Sequence, residues 1–470
     1  MHRDLLVYGL LAASILVVYR GAFVVYFLNE DFSWLWRCRL VPPTTVWTLL
    51  TRDVMGGLYS WRPLVQLSFG LNEATWGVHP FGYRLEVLAW QAVAAGALYA
   101  IATRLSDRLR GGLAALLFAV HPVQVESVSW TCARGGPLAT ALLLGALLAY
   151  LAWRHDQDRR GVQLWMVLVP FALALATLES SVTFVGVVLA TDVLLPGPAM
   201  RIGHRLQVYV GLIAVVVGFL GLRHVSSPAA TTMNMIGLDE HWPANAGQML
   251  AFALQKLQAI FAMLFTVDGQ PEWVAAALAA ATAVAAALGW WRGRRLGLWG
   301  LIWIIVAGAP FTLLLLGPAP RQLHLATVGF GLLLADLVVT MAEIAARRSR
   351  HLGAVCVAAL MVLWLGQMVR KIDDATALLV ERGRLTAALL DDLQRLVPQP
   401  RPGSELVFEG LGDLRVEGHV FVYGLEDAVR VIYDDGSLRT SFGARGAPRT
   451  AAYRLLYDGG HLALLGGARS

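Results

Sequence analysis

The sequence predicts an all-α polytopic membrane protein of about eleven transmembrane helices, followed by a small β-rich C-terminal domain. Three observations carry this. The 470 residues are 57% hydrophobic and only 15% charged, with a mean hydropathy of +0.59. Soluble domains lie near half apolar and a quarter charged. Apolar runs of about one bilayer's length recur from residue 5 to residue 369, separated by clusters of arginine. After Arg370 the pattern changes to an amphipathic repeat and then to short alternating runs with turn signals.

The first run, 5–28, follows a short basic start, His2-Arg3, and no small-residue cleavage site ends it. It reads as a retained helix rather than a signal peptide. Further spans are expected at 83–104, 112–128, 136–153, 162–178, 181–196, 206–222, 271–291, 297–316, 323–343 and 352–369. With these spans, Arg108 and Arg110, Arg154 to Arg160, Arg201 and Arg205, Arg292 to Arg295, and Arg347 to Arg350 all fall on one side. The positive-inside rule makes that side cytoplasmic, with the N-terminus. The expected location is a bacterial inner membrane, with the long first loop 29–82 and everything after residue 370 outside. The stretch 248–266 is apolar but interrupted by Gln255, Lys256 and Gln258, and reads as an interfacial or re-entrant helix on the outer face.

Residues 1–370 form the membrane domain in this reading. In 371–398, Leu378, Leu385, Leu389, Leu393 and Leu396 repeat at helical spacing and predict an amphipathic linker helix, ended by Pro398, Pro400 and Pro402. In 399–470, strands are expected at Glu405–Glu409, Arg415–Tyr423, Ala428–Tyr433, Leu438–Phe442, Tyr453–Tyr457 and His461–Leu465. Asp434-Asp435-Gly436 and Asp458-Gly459-Gly460 mark hairpin turns. The net charge of +6 is nearly all arginine, since Lys256 and Lys371 are the only lysines. In a membrane protein this marks cytoplasmic loops and argues against a nucleic-acid partner. Three cysteines make neither a disulfide framework nor a metal site. Cys38 and Cys132 both fall outside and could pair in an oxidising compartment only if the fold brings them together.

The chemistry collects at the outer face. Glu30 and Asp31 stand side by side just past the first span. Adjacent anions are poor membrane anchors but suit proton abstraction or cation binding. Arg62, His79, His121, Glu126, Arg134, Glu179, Arg321 and His324 fall on the same face. Glu179, in the turn Leu178-Glu179-Ser180-Ser181, is costly where a neutral residue would do. His121 either joins the site or caps a helix end beside Pro122. Trp34, Trp36, Trp47, Trp61 and Trp76 in the first loop read as an interfacial aromatic belt or as rings that stack on a sugar.

Four segments then show a resemblance. His121-Pro122-Val123-Gln124-Val125-Glu126-Ser127-Val128-Ser129-Trp130, followed by Arg134, resembles the His-Pro-Val-His-x-Glu segment of the transmembrane and tetratricopeptide-repeat O-mannosyltransferases and their bacterial relatives. Trp61-Arg62-Pro63-Leu64 is similar to that group's Tyr-Arg-Pro-Leu, and His79-Pro80-Phe81-Gly82-Tyr83-Arg84 to its Asn-Pro-Phe-Gly-Tyr-His. Pro320-Arg321-Gln322-Leu323-His324-Leu325 is similar to its Arg-Tyr-Leu-Tyr-Leu-Pro. Asn29-Glu30-Asp31-Phe32 stands where the group carries its catalytic acids. The chain departs from the pattern at Leu178, where a lysine is usual, at Gln91, where a histidine is common, and at His324. Gly135-Gly136-Pro137 lacks a usual acid, and no tetratricopeptide repeats follow.

The resemblance implies a GT-C glycosyltransferase that moves a sugar, mannose by analogy, from a polyprenyl phosphate to an acceptor hydroxyl outside. The acceptor, whether protein, lipid or glycan, stays open. Asp31 is then the expected base with Glu30 as its partner, or Glu30 the base itself. Arg321, Arg62 and Arg134 are the expected phosphate ligands, since arginine forks match phosphate oxygens and stay charged. His121, Glu126, Glu179, His79 and His324 complete the site. No cofactor is demanded, though the acidic pair is compatible with a divalent metal. The competing class is a non-catalytic scaffold or a lipid-linked-sugar transporter, against which the scarcity of mid-membrane charges counts. Asp336 is the exception to that scarcity.

Overall fold

The computed structural model describes all residues except 1, 41–45, 52–60, 156–159, 198–201, 227–245, 267–268, 314–317, 348, 412–420, 422–423, 444–452, 459 and 468–470. Helices dominate: α1 His2–Val18, α2 Glu30–Leu40, α3 Val46–Thr51, α4 Pro63–Trp76, α5 Pro80–Leu105 and α6 Arg108–Ala119. There follow α7 Val125–Ser129, α8 Gly135–His155, α9 Arg160–Leu175, α10 Phe184–Leu194 and α11 Ile202–Ser226. Then come α12 Ala246–Leu264, α13 Glu272–Trp291, α14 Leu296–Gly308, α15 Ala326–Ala346 and α16 Arg350–Leu396. A buried apolar cluster runs from Ile15 and Leu98 through Leu144, Phe171 and Trp303 to Leu333. At the crossing of α14 and α15, Gly300 and Gly329 let the backbones touch: a Cβ on Gly300 would meet the Gly329 carbonyl at 2.6 Å.

Among the described residues, fewer helices than the eleven expected reach span length. Among the described residues five are long and apolar enough to cross a membrane, or six if α6 and the segment Pro122–Ser129, bent by 47°, count as one. The shortfall has a physical cause. The expected helices break into 3-10 turns near one end, at Arg20–Val24, Pro122–Gln124, Glu179–Thr183 and Ala309–Leu313. The first span, expected to reach residue 28, is α-helical only to Val18. Proline at 122 lacks an N–H for a continuous ladder.

The arginine-rich loops do meet at one end. Arg108 pairs with Asp4 at 3.0 Å, and Arg110 with Asp336 and Glu343, both at 2.9 Å. Arg294 pairs with Glu343 at 2.5 Å, and Arg295 donates to the Leu194 carbonyl. Asp336 thus belongs to a partly buried ion-pair network that ties α6 and α15 to the loop between α13 and α14. It also accepts the Gly297 N–H at 3.1 Å.

The C-terminal part corrects two expectations. The last span and the linker helix are one continuous helix, α16, of 47 residues. The expected strand Ala428–Tyr433 is instead the core of α17, Leu425–Tyr433. Its β-branched residues suggested a strand. Leu425, Ala428, Val429 and Ile432 nevertheless fall at helical spacing, Glu426 and Asp427 sit in the first turn, and Arg430 pairs with Glu426 one turn back at 2.5 Å. The strands β1 Glu405–Glu409, β2 Arg439–Gly443, β3 Tyr453–Asp458 and β4 His461–Gly467 order as β2-β1-β3-β4. β1 is parallel to β2 and β3, and β3–β4 is the hairpin announced by Asp458-Gly459-Gly460. Asp434-Asp435-Gly436 therefore links helix to strand rather than strand to strand. The domain is a mixed α/β unit. The expected strand 415–423 lies mostly outside the described residues.

This unit docks on the long segment between α1 and α5. Phe32, Trp34 and Trp36 of α2, Leu389 and Leu393 of α16, and Leu425 and Ala428 of α17 share one apolar cluster. Gly424, at φ +80°, lies so close to the turn before α2 that a Cβ would meet the Asn29 carbonyl at 2.5 Å. The tryptophans divide accordingly. Trp34, Trp36 and Trp61 are buried, with Trp34 stacked on Phe69, so they serve packing rather than a belt or a sugar. Trp47 and Trp76 are exposed.

Candidate active site

Asp31 lies in the first turn of α2 and is wholly enclosed, at 0% exposure. The chain reaches it through an extended segment, 25–28, and a left-handed turn at Asn29, φ 41°. Asparagine tolerates that conformation better than most residues. The Leu28 N–H donates to Asp31 Oδ2 at 2.9 Å while the Asp31 N–H donates back to the Leu28 carbonyl. The side chain reaching back to the N–H three residues earlier is half of a capping box, and the return bond is an ordinary backbone turn. Asp31 Oδ1 accepts the Cys132 N–H at 2.6 Å. Burial drives the carboxyl up to about 6, against the pull of Arg84, Arg134 and the two backbone donors. A carboxylate with that value, with lone pairs left on both oxygens, is suited to general-base work near neutrality. Glu30 beside it is partly exposed and accepts from the Cys132 thiol at 3.5 Å. Cys38 and Cys132 are both free: Cys38 is buried and points to the Gln66 carbonyl, so the two do not pair.

Two arginines stand at the same end, Arg321 half-exposed and Arg62 mostly covered. Arg321 pairs with Glu126 at 3.3 Å and lies over the Trp130 ring at 5.5 Å, two residues before Cys132. Ser127 holds its backbone by donating to the Arg321 carbonyl. Arg62 precedes α4 and grips Glu179 through two nitrogens, at 3.1 and 3.3 Å. The connection to Asp31 runs through Gly135, packed against the Thr177 carbonyl two residues before Glu179. Arg62 and Arg321, expected as phosphate ligands, are thus each paired here with a carboxylate, Glu179 and Glu126.

The histidines are otherwise engaged. His121 Nε2 meets the Leu264 carbonyl at 2.8 Å, and its Nδ1 accepts the Val123 N–H at 3.2 Å. A carbonyl only accepts, so Nε2 carries the proton and the ring caps the turn beside Pro122. It also anchors the end of α12, where Lys371 donates to the Thr266 carbonyl. Buried His324 contacts Thr140 through Nδ1 and Gln91 through Nε2, each at 2.9 Å. Gln91 continues to Gln124 and Gln124 to Thr327, whose hydroxyl donates to the His324 carbonyl. Gln91 and His324 therefore meet as members of one closed hydrogen-bond circuit beneath Arg321. His79 is exposed at the start of α5 and makes no side-chain cap.

Arg134 is 2% exposed, stacked 4.0 Å over Phe69, with Nη1 bound to Ser68 at 2.6 Å and Glu86 at 3.1 Å. It is an enclosed cation rather than a surface one. Two groups escaped the sequence reading. Glu86 collects Ser68, Asn72, Trp90 and Arg134, and Arg84 lies fully buried near Asp31. Their signal was present: two ionisable residues in the first turns of an apolar span. Among the described residues no group of three or more His, Cys, Asp or Glu side chains converges as a metal site.

No family model matches the chain. Among curated proteins it is 32% identical over 157 residues to the protein O-mannosyl-transferase TMTC3 of Mus musculus, 32% of this chain and 17% of that protein. It is 37% identical over 139 residues to the protein O-mannosyl-transferase Tmtc1 of Drosophila melanogaster, 29% of this chain and 16% of that one. The matched stretches thus span less than a fifth of those relatives' own lengths. Among solved structures, apo ArnT from Cupriavidus metallidurans matches 92% of this chain and 85% of its own, with TM-score 0.54 and 14% identity. The oligosaccharyltransferase AglB from Archaeoglobus fulgidus, in complex with an inhibitory peptide and a dolichol-phosphate, matches 92% of this chain and 64% of its own, with TM-score 0.54 and 12% identity. The chain is thus similar to O-mannosyl-transferases over part of its length, and its fold is similar to those of ArnT and AglB.

Proposed function

We propose that this chain is a membrane glycosyltransferase that transfers a sugar, mannose in the first instance, from a polyprenyl phosphate to an acceptor hydroxyl on the outer face. One observation carries the reading: a buried carboxylate tuned to about 6, at the same end of the molecule as two partly exposed arginine–carboxylate pairs. In this mechanism the acceptor oxygen attacks the anomeric carbon from the face opposite the phosphate. Its O–H proton passes to Asp31 as the new C–O bond forms and the bond to the phosphate oxygen breaks. The configuration inverts. Arg321 and Arg62 meet the charge on the departing polyprenyl phosphate, exchanging part of their hold on Glu126 and Glu179 for phosphate oxygens. Arg134, enclosed with Glu86, sets the field around Asp31 instead of touching phosphate. Glu30 is the member of the pair that an incoming acceptor meets first. Phosphate charge met by two arginines leaves no need for a metal.

The relatives' names and the dolichol-phosphate held by AglB support a lipid-phosphate donor. The test uses purified chain and synthetic decaprenyl-phosphate mannose with a panel of hydroxyl acceptors, with and without EDTA. Turnover that persists in EDTA and disappears in Asp31→Asn is expected. Turnover unchanged in both Asp31→Asn and Glu30→Gln contradicts the mechanism. Movement of the labelled lipid between liposome leaflets without transfer favours a transporter.

A further inference from the structure

Arg84 is 0% exposed in the first turns of α5. Its Nη2 donates to the Tyr26 carbonyl at 3.2 Å and, at the limit of distance, to Val25 at 3.5 Å. Its Nε and Nη1 are buried without a partner. A guanidinium stays charged and offers five donors. Enclosing it is costly unless an opposite charge lies near, and two carbonyls do not supply one.

The opposite charge is Asp31. The two groups grip the same short piece of backbone. Arg84 holds the extended segment 25–28 by its carbonyls at 25 and 26, and Asp31 holds it by the Leu28 N–H. The other charges facing Asp31 are accounted for. Arg134 is committed to Glu86 at 3.1 Å, Cys132 offers its N–H, and Glu30 adds a like charge on the same helix. Arg84 is also the strongest charged neighbour acting on the Asp31 carboxyl.

We propose that Arg84 is the positioning residue of the acidic pair: its enclosed charge keeps Asp31 ionised, and its hydrogen bonds fix the neck from which Asp31 hangs. Arg84 acts through Asp31 and does not touch substrate. The consequence for rate rests on Asp31 being the base. The coupling between the two charges does not.

The test therefore reads Asp31 directly. In the purified full chain, infrared spectroscopy follows the protonated-carboxyl band that is lost in Asp31→Asn. In the unaltered protein it is expected to titrate near 6. In Arg84→Met the midpoint moves up by about one pH unit or more, and Arg84→Lys brings it back. With decaprenyl-phosphate mannose as donor, Arg84→Met with a shift of about one unit then loses about twofold in rate at pH 7 and about tenfold at pH 5, and the rate is recovered about one pH unit higher. An unmoved midpoint in folded Arg84→Met overturns the proposal, whether or not transfer is seen. A midpoint that moves while the rate profile stays put supports the coupling and removes Asp31 as the base. Should Arg84→Met not fold, the double variant with Asp31→Asn decides: folding recovered supports two compensating charges, and no recovery overturns them.

Discussion

At the scale of the residue, Asp31 has two donors and a tight enclosure, and enclosure wins. Its value lies above the ordinary 3.8, at about 6, so the ionised fraction falls as pH drops through 6. The kcat/KM profile is expected to rise with pH through a midpoint near 6, and Asp31→Asn to lose at least about a hundredfold. The same shift fixes its effect on stability. The contribution of this group is complete below its unfolded value near 3.8 and is lost as pH rises through about 6. Arg321→Ala and Arg62→Ala are each expected to raise the donor KM by about tenfold to a hundredfold, the worth of a hydrogen bond to a charged group, measured by initial rates against donor concentration. The acidic pair stood out in the sequence as two anions beside an apolar run, but the two backbone N–H groups that Asp31 holds, at Leu28 and Cys132, could not be read there. Arg84 and Glu86 were hidden because an apolar average over a span conceals its first turns. The roles of His121 and His324 needed their partners, which lie 143 residues away at Leu264 and 184 away at Thr140.

At the scale of the element, helices were read well and their ends poorly. Apolar runs announce a span, but its last turn depends on tertiary partners: Arg84 takes the carbonyls freed at 25–26, and His121 caps the break at Pro122. The Ala428–Tyr433 error has a similar root. Short runs rich in valine and isoleucine do not separate strand from helix by periodicity alone. The first-turn acids and the Glu426–Arg430 pair were the better evidence. The junction of α17 with α2 gives a test. Gly424→Ala adds a methyl where the Asn29 carbonyl lies, in a left-handed conformation. It is expected to cost about 1–2 kcal/mol from the conformation alone, read as a lower melting midpoint, and to free the C-terminal unit for limited proteolysis at residue 401.

At the scale of the whole molecule, charge sorts the chain into two ends. Asp4, Arg108, Arg110, Arg294 and Glu343 knot one end together. Asp31, Cys132, Arg321 and the C-terminal unit share the other. The sequence supplied this sorting through its arginine loops, though not the number of full-length helices. Cysteine introduced at Arg384, exposed on α16, is expected to react with a membrane-impermeant maleimide in intact cells, and cysteine at Arg292 only after permeabilisation. The reverse pattern would turn the site to the cytoplasm. The central claim is a single displacement at an anomeric carbon, driven by one carboxylate. Its most direct test is the anomeric configuration of the product made by purified chain from decaprenyl-phosphate mannose of defined configuration, read by NMR. The account predicts inversion, and no product from Asp31→Asn. Retention of configuration, or inverted product formed equally well without Asp31 and Glu30, would contradict it.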